Sequence, residues 1–539
     1  MSGSINVHSV QIVLLLLLAM MVAIAGLARR LNISYPIVLV VAGLLVSFVP
    51  RVPRFPLSPD VVFLVFLPPL IFSAAWQASW REFRENLLSI SMLAIGLVAF
   101  TVVVVAVFAS RFIPELDWRA GFLLGAVVSP TDAIAASSIA RRLGLPRRVV
   151  DILEGESLVN DATGLLALEF GVEMLRGGPV PTVGAGLLRL LWLFGGGMLV
   201  GIAIGALVSW VERWIDDGPV EIAITILVPY AVYLASEQVR ASGVIAVLAC
   251  GLYMARKSTS FFSAETRLQA RAVWDALIFL LNGIVFLLIG LQLPYVMAGI
   301  RGYSHFALLR YGVIFSLLLI VARIAWMYPG AWVSQKIRGH FRRRVEAPAK
   351  AGEIFIVGWT GMRGVISLAA AGSLPFVMDG GKPFAARSMI LFLTFCVILV
   401  TLVVQGLTLP AVIRLLGVGG QRVDCEEGET RKIILQAAID RLRAPVEGGD
   451  DLQHAYEDLL HEYEHRLEAL RGCDDPQSQE HEEPAIRRAA AVALQVEREA
   501  LIDLRDHDRI SEETLRLLQH ELDLAESRLS SIRSSSATA

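Results

Sequence analysis

The chain has 539 residues, 55% of them hydrophobic, and a mean hydropathy of +0.61. Apolar stretches long enough to cross a bilayer recur along it, which excludes a soluble globular protein and predicts a multi-pass membrane protein. The net charge of −2 hides a division, because residues 1–420 carry 33 Lys and Arg against 22 Asp and Glu, whereas residues 421–539 carry 15 against 28. We therefore predict a transmembrane domain over residues 1–420 and a soluble, helical acidic tail over residues 421–539.

Thirteen apolar stretches are candidates for membrane spans. They cover residues 10–28, 33–50, 59–76, 87–109, 119–139, 149–174, 186–211, 219–236, 242–255, 272–297, 306–333, 353–375 and 388–413. The connections after the odd-numbered stretches hold most of the Lys and Arg, above all RRLGLPRR (141–148) and KIRGHFRRR (336–344). The positive-inside rule then places these connections and the tail in the cytoplasm, and the N-terminus outside.

The number and the interruptions of these stretches favour an internal repeat. Thirteen spans divide as six, one and six, so that each of the first six spans pairs with the span seven places later, which runs in the opposite direction. The fifth stretch contains GAVVSPTDAIAASSI (125–139), in which Pro130 breaks a helix, and the twelfth contains VGWTGMRGVISLAAAG (357–372), in which glycines surround Arg363. The sequence thus predicts an all-α membrane fold of two inverted six-helix repeats, with a corresponding pair of broken helices at an ion site.

Ionisable side chains deep in these stretches are costly, about 2.5–3.5 kcal/mol each at the bilayer centre, and are expected to face inward and to have a function. They are Asp132, Glu156, Asp161 and Arg363. Ser157 and Asp161 are four residues apart and share a helix face, while Glu156 and Asn160 lie on the neighbouring strip. Ser157 and Asp161, together with Thr131 and Asp132 beside the break, form an all-oxygen set that suits a small hard cation, and Asn160 lies next to Asp161 in the same candidate site.

Other interpretations of the same residues stay open at this point. Asp161 alone is also compatible with a hydrogen bond between packed helices, and Asp132 either binds the ion or only shapes the site. Asp132 and Asp161 could form the dyad of an intramembrane aspartyl protease, although their contexts, Thr-Asp and Asn-Asp, differ from the patterns of such enzymes. A cation channel is a third possibility, but no repeated filter sequence supports it. Arg363 is the expected counter-charge of Glu156, in a structural role.

Four motifs together resemble the monovalent cation:proton antiporters, which include bacterial sodium–proton antiporters and sodium–hydrogen exchangers. The motifs are LPPLIF (67–72), SPTD (129–132), ESLVND (156–161) and GMRG (361–364), and the resemblance covers roughly residues 10–415. It implies a thirteen-helix antiporter fold in the plasma (inner) membrane, a homodimer, crossed broken helices and elevator-like alternating access. It implies no cofactor, and exchange of Na⁺, or of K⁺ or Li⁺, for H⁺ in pH homeostasis.

By position, the resemblance implies that Asp161 carries the cation and the proton, with Thr131, Asp132 and Ser157 beside it, and that Glu156 and Arg363 form a structural pair. Asn160 is adjacent and cannot titrate, so one exchanging carboxylate implies electroneutral 1:1 exchange. Many relatives follow the LPP-x-x-F motif with an acidic residue, but this chain has Ser73 there, so a possible contact from the third span lacks its carboxylate.

The tail has helical periodicity over residues 430–444, 452–472, 485–506 and 511–531. No nucleotide-binding or nucleic-acid signature occurs in the chain. His461 and His465 are four residues apart, but without other ligands this spacing favours a solvated helix face over a transition-metal site. A regulatory role in the cytoplasm is the expectation for this segment.

Overall fold

The computed structural model describes residues 7–30, 33–49, 58–78, 80–176, 182–300, 303–341, 350–377, 384–418 and 432–443, with isolated residues of the tail between 459 and 522. The chain divides into two compact units, Met1–Gly420 and Gln421–Ala539. Of the four helical segments predicted in the tail, residues 432–443 of the first form a helix, and the others lie almost entirely outside the described residues.

The regular elements in the described part of the first unit are all helices, so the all-α prediction is confirmed. The helices are α1 (Val7–Arg30), α2 (Tyr35–Ser47), α3 (Pro59–Val61), α4 (Leu67–Gln77), α5 (Trp80–Ser91), α6 (Val98–Phe112), α7 (Trp118–Val128), α8 (Ile134–Arg142), α9 (Arg147–Leu175), α10 (Val183–Val211), α11 (Gly218–Gln238), α12 (Gly243–Phe261), α13 (Ala264–Leu291), α14 (Leu293–Ala298), α15 (His305–Phe341), α16 (Ala351–Trp359), α17 (Val365–Gly372), α18 (Ala386–Val400) and α19 (Gly406–Leu416). Short π-helical segments, Val62–Phe66, Met92–Leu97 and Thr401–Gln405, join consecutive helices into longer ones.

Short polar side chains fix where several helices begin. The side-chain oxygen of each accepts a backbone N–H of the first turn, which has no partner within the helix. These N-caps are Asp117 of α7, Thr182 of α10, Asp217 of α11, Ser242 of α12 and Ser263 of α13. Polar residues between apolar stretches thus set the ends of the membrane-spanning helices.

The chain crosses the membrane several times. Within the described residues, seven helices are long and apolar enough to do so by length and composition: Pro59–Gln77, Trp80–Phe112, Gly184–Trp214, Gly218–Gln238, Glu265–Ala298, His305–Ile337 and Ala386–Leu416. Each of the thirteen predicted stretches falls on one helix or on successive helices. The number of thirteen spans and the inverted repeat remain predictions.

Two groups of helices pack within this unit. One, the flanking bundle, consists of α1–α4 and α10–α14, and the other, the site bundle, of α5–α9 and α15–α19 with the breaks between them. Helices within a bundle pack extensively, as α2 does on α13 and α7 on α9, whereas fewer residues meet between the bundles. In the flanking bundle, α10 leaves Leu188 70% exposed and Leu199 69% exposed, as expected of a surface that faces lipid.

Candidate functional site

Two interrupted helices cross in the site bundle. Helix α7 ends at Val128 and α8 begins at Ile134, and helix α16 ends at Trp359 and α17 begins at Val365. The two breaks contact each other, because the backbone N–H of Asp132 donates to the carbonyl of Met362 at 2.7 Å. The interruptions that Pro130 and the GMRG motif predict are therefore confirmed, and they lie at one point.

Glycines allow this crossing to be close. A Cβ atom at Gly364 would collide with the side chain of Asp132, and one at Gly361 would collide with the side chain of Arg323. Gly164 of α9 has the same role opposite Pro130, where a Cβ would lie 2.5 Å from the proline ring. The glycines around Arg363 thus make room for the side chains of Asp132 and Arg323, in addition to interrupting the helix that contains them.

Helix α9 contacts the break between α7 and α8 through polar side chains along one of its sides. The hydroxyl of Ser157 donates to the carbonyl of Thr131 at 2.8 Å and accepts the N–H of Ala133 at 3.3 Å. The amide nitrogen of Asn160 donates to the hydroxyl of Thr131 at 2.7 Å. The structure thus brings together Thr131, Ser157 and Asn160, which the sequence placed in one candidate site.

The ion-pair partner of Glu156 differs from the one predicted. Arg323 of α15 binds Glu156 with two hydrogen bonds, of 2.5 Å to Oε1 and 2.8 Å to Oε2, and both side chains are almost completely buried. The hydroxyl of Thr131 adds a third, donating to Oε1 at 3.1 Å. Two parallel bonds from one guanidinium are the strongest geometry for a carboxylate, so Arg323, and not Arg363, neutralises Glu156.

Arg363 bonds to backbone instead. The side chain of Arg363 donates to the carbonyl of Val128, at 3.1 Å, and to the carbonyl of Gly361. The backbone N–H of Arg363 donates to the hydroxyl of Thr401. Val128 ends α7, and its carbonyl lacks a helical partner because the helix breaks there. Arg363 therefore binds the carbonyl end of one broken helix to the break of the other, while Glu156 lies within electrostatic range of it.

Asp161 lies one turn beyond Ser157 on α9 and is 5% exposed. Among the described residues, no hydrogen bond reaches its carboxylate, and no basic side chain pairs with it. Asp132 is within electrostatic range, and one of its carboxylate oxygens accepts the N–H of Ile134 at 2.8 Å. Beside Asp161, the Oδ1 atom of Asn160 is buried without a partner in the described part of the chain. Carboxylate and amide oxygens of this kind are the ligands that suit a small hard cation.

Ser73 lies apart from this set. It is buried in α4, in the flanking bundle, and its hydroxyl accepts the amide of Gln77 on the same helix at 3.4 Å. The described contacts do not bring it to Asp161 or to the breaks. A contact from the third span to the ion therefore stays a prediction that this conformation does not show.

Arg323 is the residue of this site that the sequence reasoning missed. Its signal is an arginine in the middle of the apolar stretch 306–333, far from Arg310 near the start of that stretch and as conspicuous as Arg363 in the stretch 353–375. An arginine in a membrane span needs an acidic or carbonyl partner, so this position belonged among the candidates.

Comparisons with known proteins match residues 15–415 to a family described as sodium/hydrogen exchanger, transmembrane. A protein of Mycobacterium tuberculosis described as an uncharacterized Na⁺/H⁺ exchanger is 34% identical over 537 residues, which cover 96% of each chain. A sodium, potassium, lithium and rubidium/H⁺ antiporter of Bacillus subtilis is 28% identical over 94% of this chain and 76% of its own. The structure of the sodium proton antiporter MjNhaP1 of Methanocaldococcus jannaschii is similar, with a TM-score of 0.59 and 18% identity over 75% of this chain and 97% of the other.

Proposed function

Because the chain belongs to the sodium/hydrogen exchanger family, we propose that it exchanges one monovalent cation for one proton, and that both compete for Asp161. Members of this family are secondary transporters and not enzymes, so the protease and channel alternatives are set aside. Na⁺ is the first candidate for the cation, since the relatives are named for it. The Bacillus relative is also named for potassium and lithium, so K⁺ and Li⁺ are the alternatives.

The state of the Asp161 carboxylate carries the proposal. A buried carboxylate without hydrogen bonds or a counter-charge is strongly disfavoured, and it becomes acceptable when it binds a proton or a cation. The two buried arginines of the site do not supply the charge, because Arg323 is bound to Glu156 and Arg363 to backbone carbonyls. Asp161 is thus the acidic group of the site that is open to exchange.

A chain of hydrogen bonds orients the neighbouring amide. The carboxylate of Glu156, held by Arg323, only accepts hydrogen bonds, so the Thr131 hydroxyl donates to it and is left to accept from Asn160. Asn160 therefore presents its nitrogen to Thr131 and turns its oxygen away, and this oxygen is available for a cation beside Asp161. In this proposal Thr131 orients Asn160. The Thr131 hydroxyl is itself occupied by its hydrogen bonds to Glu156 and Asn160.

The packing supports alternating access. All the site residues except Ser73 lie in the site bundle, which packs less extensively against the flanking bundle than within itself. We propose that the site bundle moves as one body when Asp161 carries a proton or a cation, since an empty charged carboxylate is costly to move through an apolar barrier. With Asp161 as the exchanging group and Asn160 unable to titrate, each cycle would move one charge in each direction, which is electroneutral.

The remaining features of the proposal concern location and assembly. We place the protein in the plasma (inner) membrane as a homodimer, with the N-terminus outside and a regulatory tail in the cytoplasm. The arginine- and lysine-rich connections support this orientation. Protease digestion of the tail in inverted vesicles, but not in right-side-out ones, is the expected result, and the reverse would contradict it.

Proteoliposomes with an internal pH dye test the exchange. An inwardly directed gradient of Na⁺, K⁺ or Li⁺ should drive proton efflux in the wild type. Asp161→Asn should abolish this efflux, because the asparagine side chain has the size of aspartate but cannot titrate. Asp151→Asn is the matched control, since Asp151 lies on the same helix outside the site and its removal should preserve exchange. Substantial cation-driven proton flux in folded Asp161→Asn protein would refute the assignment.

A further inference from the structure

Two glutamates in the flanking bundle are buried without a counter-charge. Glu212 directly follows α10 and has no exposed surface, and Glu221 lies in the first turn of α11 and is 2% exposed. Glu212 is within electrostatic range of Glu221, and Glu221 of Asp217. Among the described residues, no basic side chain forms an ion pair with either glutamate. An isolated buried charge is costly, so a group that neutralises these carboxylates is required.

Most oxygens of this pair have no hydrogen-bond partner. Both carboxylate oxygens of Glu212 and the Oε2 atom of Glu221 are buried without a partner in the described part of the chain. The hydroxyl of Ser209 is an independent case, because it is buried one turn before Glu212, on the same side of the chain, and it too has no described partner. Serines in helices ordinarily bond to a carbonyl one turn earlier, as Ser236 does to Tyr233 at 2.8 Å. Four buried oxygens are thus left for a ligand.

Helices α10, α11, α12 and α13 enclose the two glutamates where they pack together at one end of the flanking bundle. Gly218 begins α11, and a Cβ atom there would lie 3.3 Å from the hydroxyl of Thr266 in α13. Glu221 follows one turn later, and its carboxylate also interacts with that hydroxyl. Cys250 of α12 is within electrostatic range of Glu212. The carboxylates therefore lie inside the bundle and not on its lipid-facing surface.

The sequence of this connection also favours a cation. Residues 212–221, ERWIDDGPVE, hold four acidic side chains and one arginine. The other connections that we place in the cytoplasm are neutral or basic, as the positive-inside rule expects. Asp216 and Asp217 are exposed, so they present negative charge to an ion that approaches from the water.

We propose that Glu212, Glu221 and Ser209 bind a hard divalent cation, Ca²⁺ or Mg²⁺, at a site separate from Asp161. Their oxygens are the ligands that such ions prefer, with waters completing the shell, and a divalent ion neutralises both carboxylates whereas an alkali ion neutralises one. No hydrogen bond joins the two carboxylates in the described part of the chain. This favours an ion about 2.0–2.6 Å from each oxygen over a proton that the carboxylates share in direct contact.

The bound ion would connect the end of α10 to the start of α11 and so stabilise the flanking bundle. This role does not depend on the proposed antiport function, because the site lies in the bundle that does not contain Asp161. An ion that binds only the folded protein raises its stability in proportion to the logarithm of the ion concentration above the dissociation constant.

Thermal unfolding of the purified full-length protein tests the site. After EDTA treatment, Ca²⁺ or Mg²⁺ at about a hundred times its dissociation constant should raise the melting temperature of the wild type by about 3 °C. Glu212→Gln and Glu221→Gln should each abolish this rise, because each removes one charged ligand. In EDTA both variants should melt no lower than the wild type, since a neutral amide replaces an uncompensated charge. Equilibrium dialysis with each ion alone should count one ion per chain in the wild type and none in the variants.

Glu265→Gln is the matched control. Glu265 is exposed at the start of α13 and accepts the amide of Gln269 at 3.0 Å, so this variant should respond to the ion as the wild type does. Asp161→Asn should also keep the response, and a failure of the antiport assignment would therefore leave this result unaffected.

Three results would overturn the proposal. The first is a wild-type melting temperature that neither ion changes, including one that depends on pH through these glutamates alone, as a shared proton predicts. The second is a rise that persists in Glu212→Gln, which would show binding elsewhere on the protein. The third is a lower melting temperature of either variant in EDTA, which would show that the carboxylate has a partner within the protein.

Discussion

The pair formed by Glu156 and Arg323 gives a quantitative prediction. Both side chains are almost completely buried, and two hydrogen bonds of 2.5 and 2.8 Å join them. Removing one partner strands the other charge in the site bundle, at a cost of about 3–5 kcal/mol. We therefore expect Arg323→Met and Glu156→Gln each to lower the free energy of unfolding by that amount. The double variant should lose much less than the sum, because neither charge is then left alone.

Reversible unfolding of the purified protein in mixed micelles measures this double-mutant cycle, and the thermal midpoint provides an independent check. The same cycle with Arg363→Met is the control, because Arg363 bonds to the carbonyls of Val128 and Gly361. The coupling energy between Arg363 and Glu156 should be clearly smaller than that between Arg323 and Glu156. Additive losses for Glu156 and Arg323, within about 0.5 kcal/mol, would refute the reasoning, and a larger coupling to Arg363 would restore the pair that the sequence suggested.

Further predictions concern the break, the neighbouring bundle and the stoichiometry. Gly361→Ala should destabilise the protein by about 1–3 kcal/mol in the same unfolding assay, since its methyl group would displace Arg323; an unchanged stability would contradict the close packing. Ser73→Ala should leave the half-saturating Na⁺ concentration unchanged within about twofold, because its hydroxyl bonds within its own helix; a larger shift would place Ser73 in the ion site. Asn160→Leu should raise that concentration by about tenfold or more, as the loss of one oxygen ligand predicts, and unaltered Na⁺ dependence would remove Asn160 from the site. Wild-type currents on a solid-supported membrane should show no sustained charge transfer after a Na⁺ jump, whereas a rate that follows the membrane potential would mean that a group besides Asp161 titrates.

Much of the site could be predicted because its signals are local. Pro130 cannot continue a helix, so the break at residues 129–133 follows from covalent structure. Ser157 and Asp161 share a helix face because of the period of the α-helix, and their burial follows from the apolar sequence around them. The all-α fold follows from hydropathy, since a membrane leaves few alternatives for a chain of long apolar stretches.

The pairing of buried charges could not be predicted in the same way. Glu156 has two arginines in range, and the sequence does not show which one the packing of α15 and α16 brings within bonding distance. The choice depends on Gly361, which lets the Arg323 side chain pass, and on the break in α7, whose open carbonyl engages Arg363. Both are properties of the assembled bundle. The orientation of the Asn160 amide has the same origin, because it depends on Thr131 and Glu156 together.

The confinement of the ion site to one bundle has a consequence for how such a protein can diverge. In the proposed mechanism, side chains inside the site bundle, from Asp161 to Arg323, determine which cation is accepted, whereas residues on the surface between the bundles, such as Ile37 of α2 and Gly406 of α19, affect how fast the bundle moves. Substitutions on that surface leave the coordination shell intact. Selection could therefore adjust turnover to a habitat while preserving ion preference, or alter ion preference at constant speed, by changes in separate parts of the sequence.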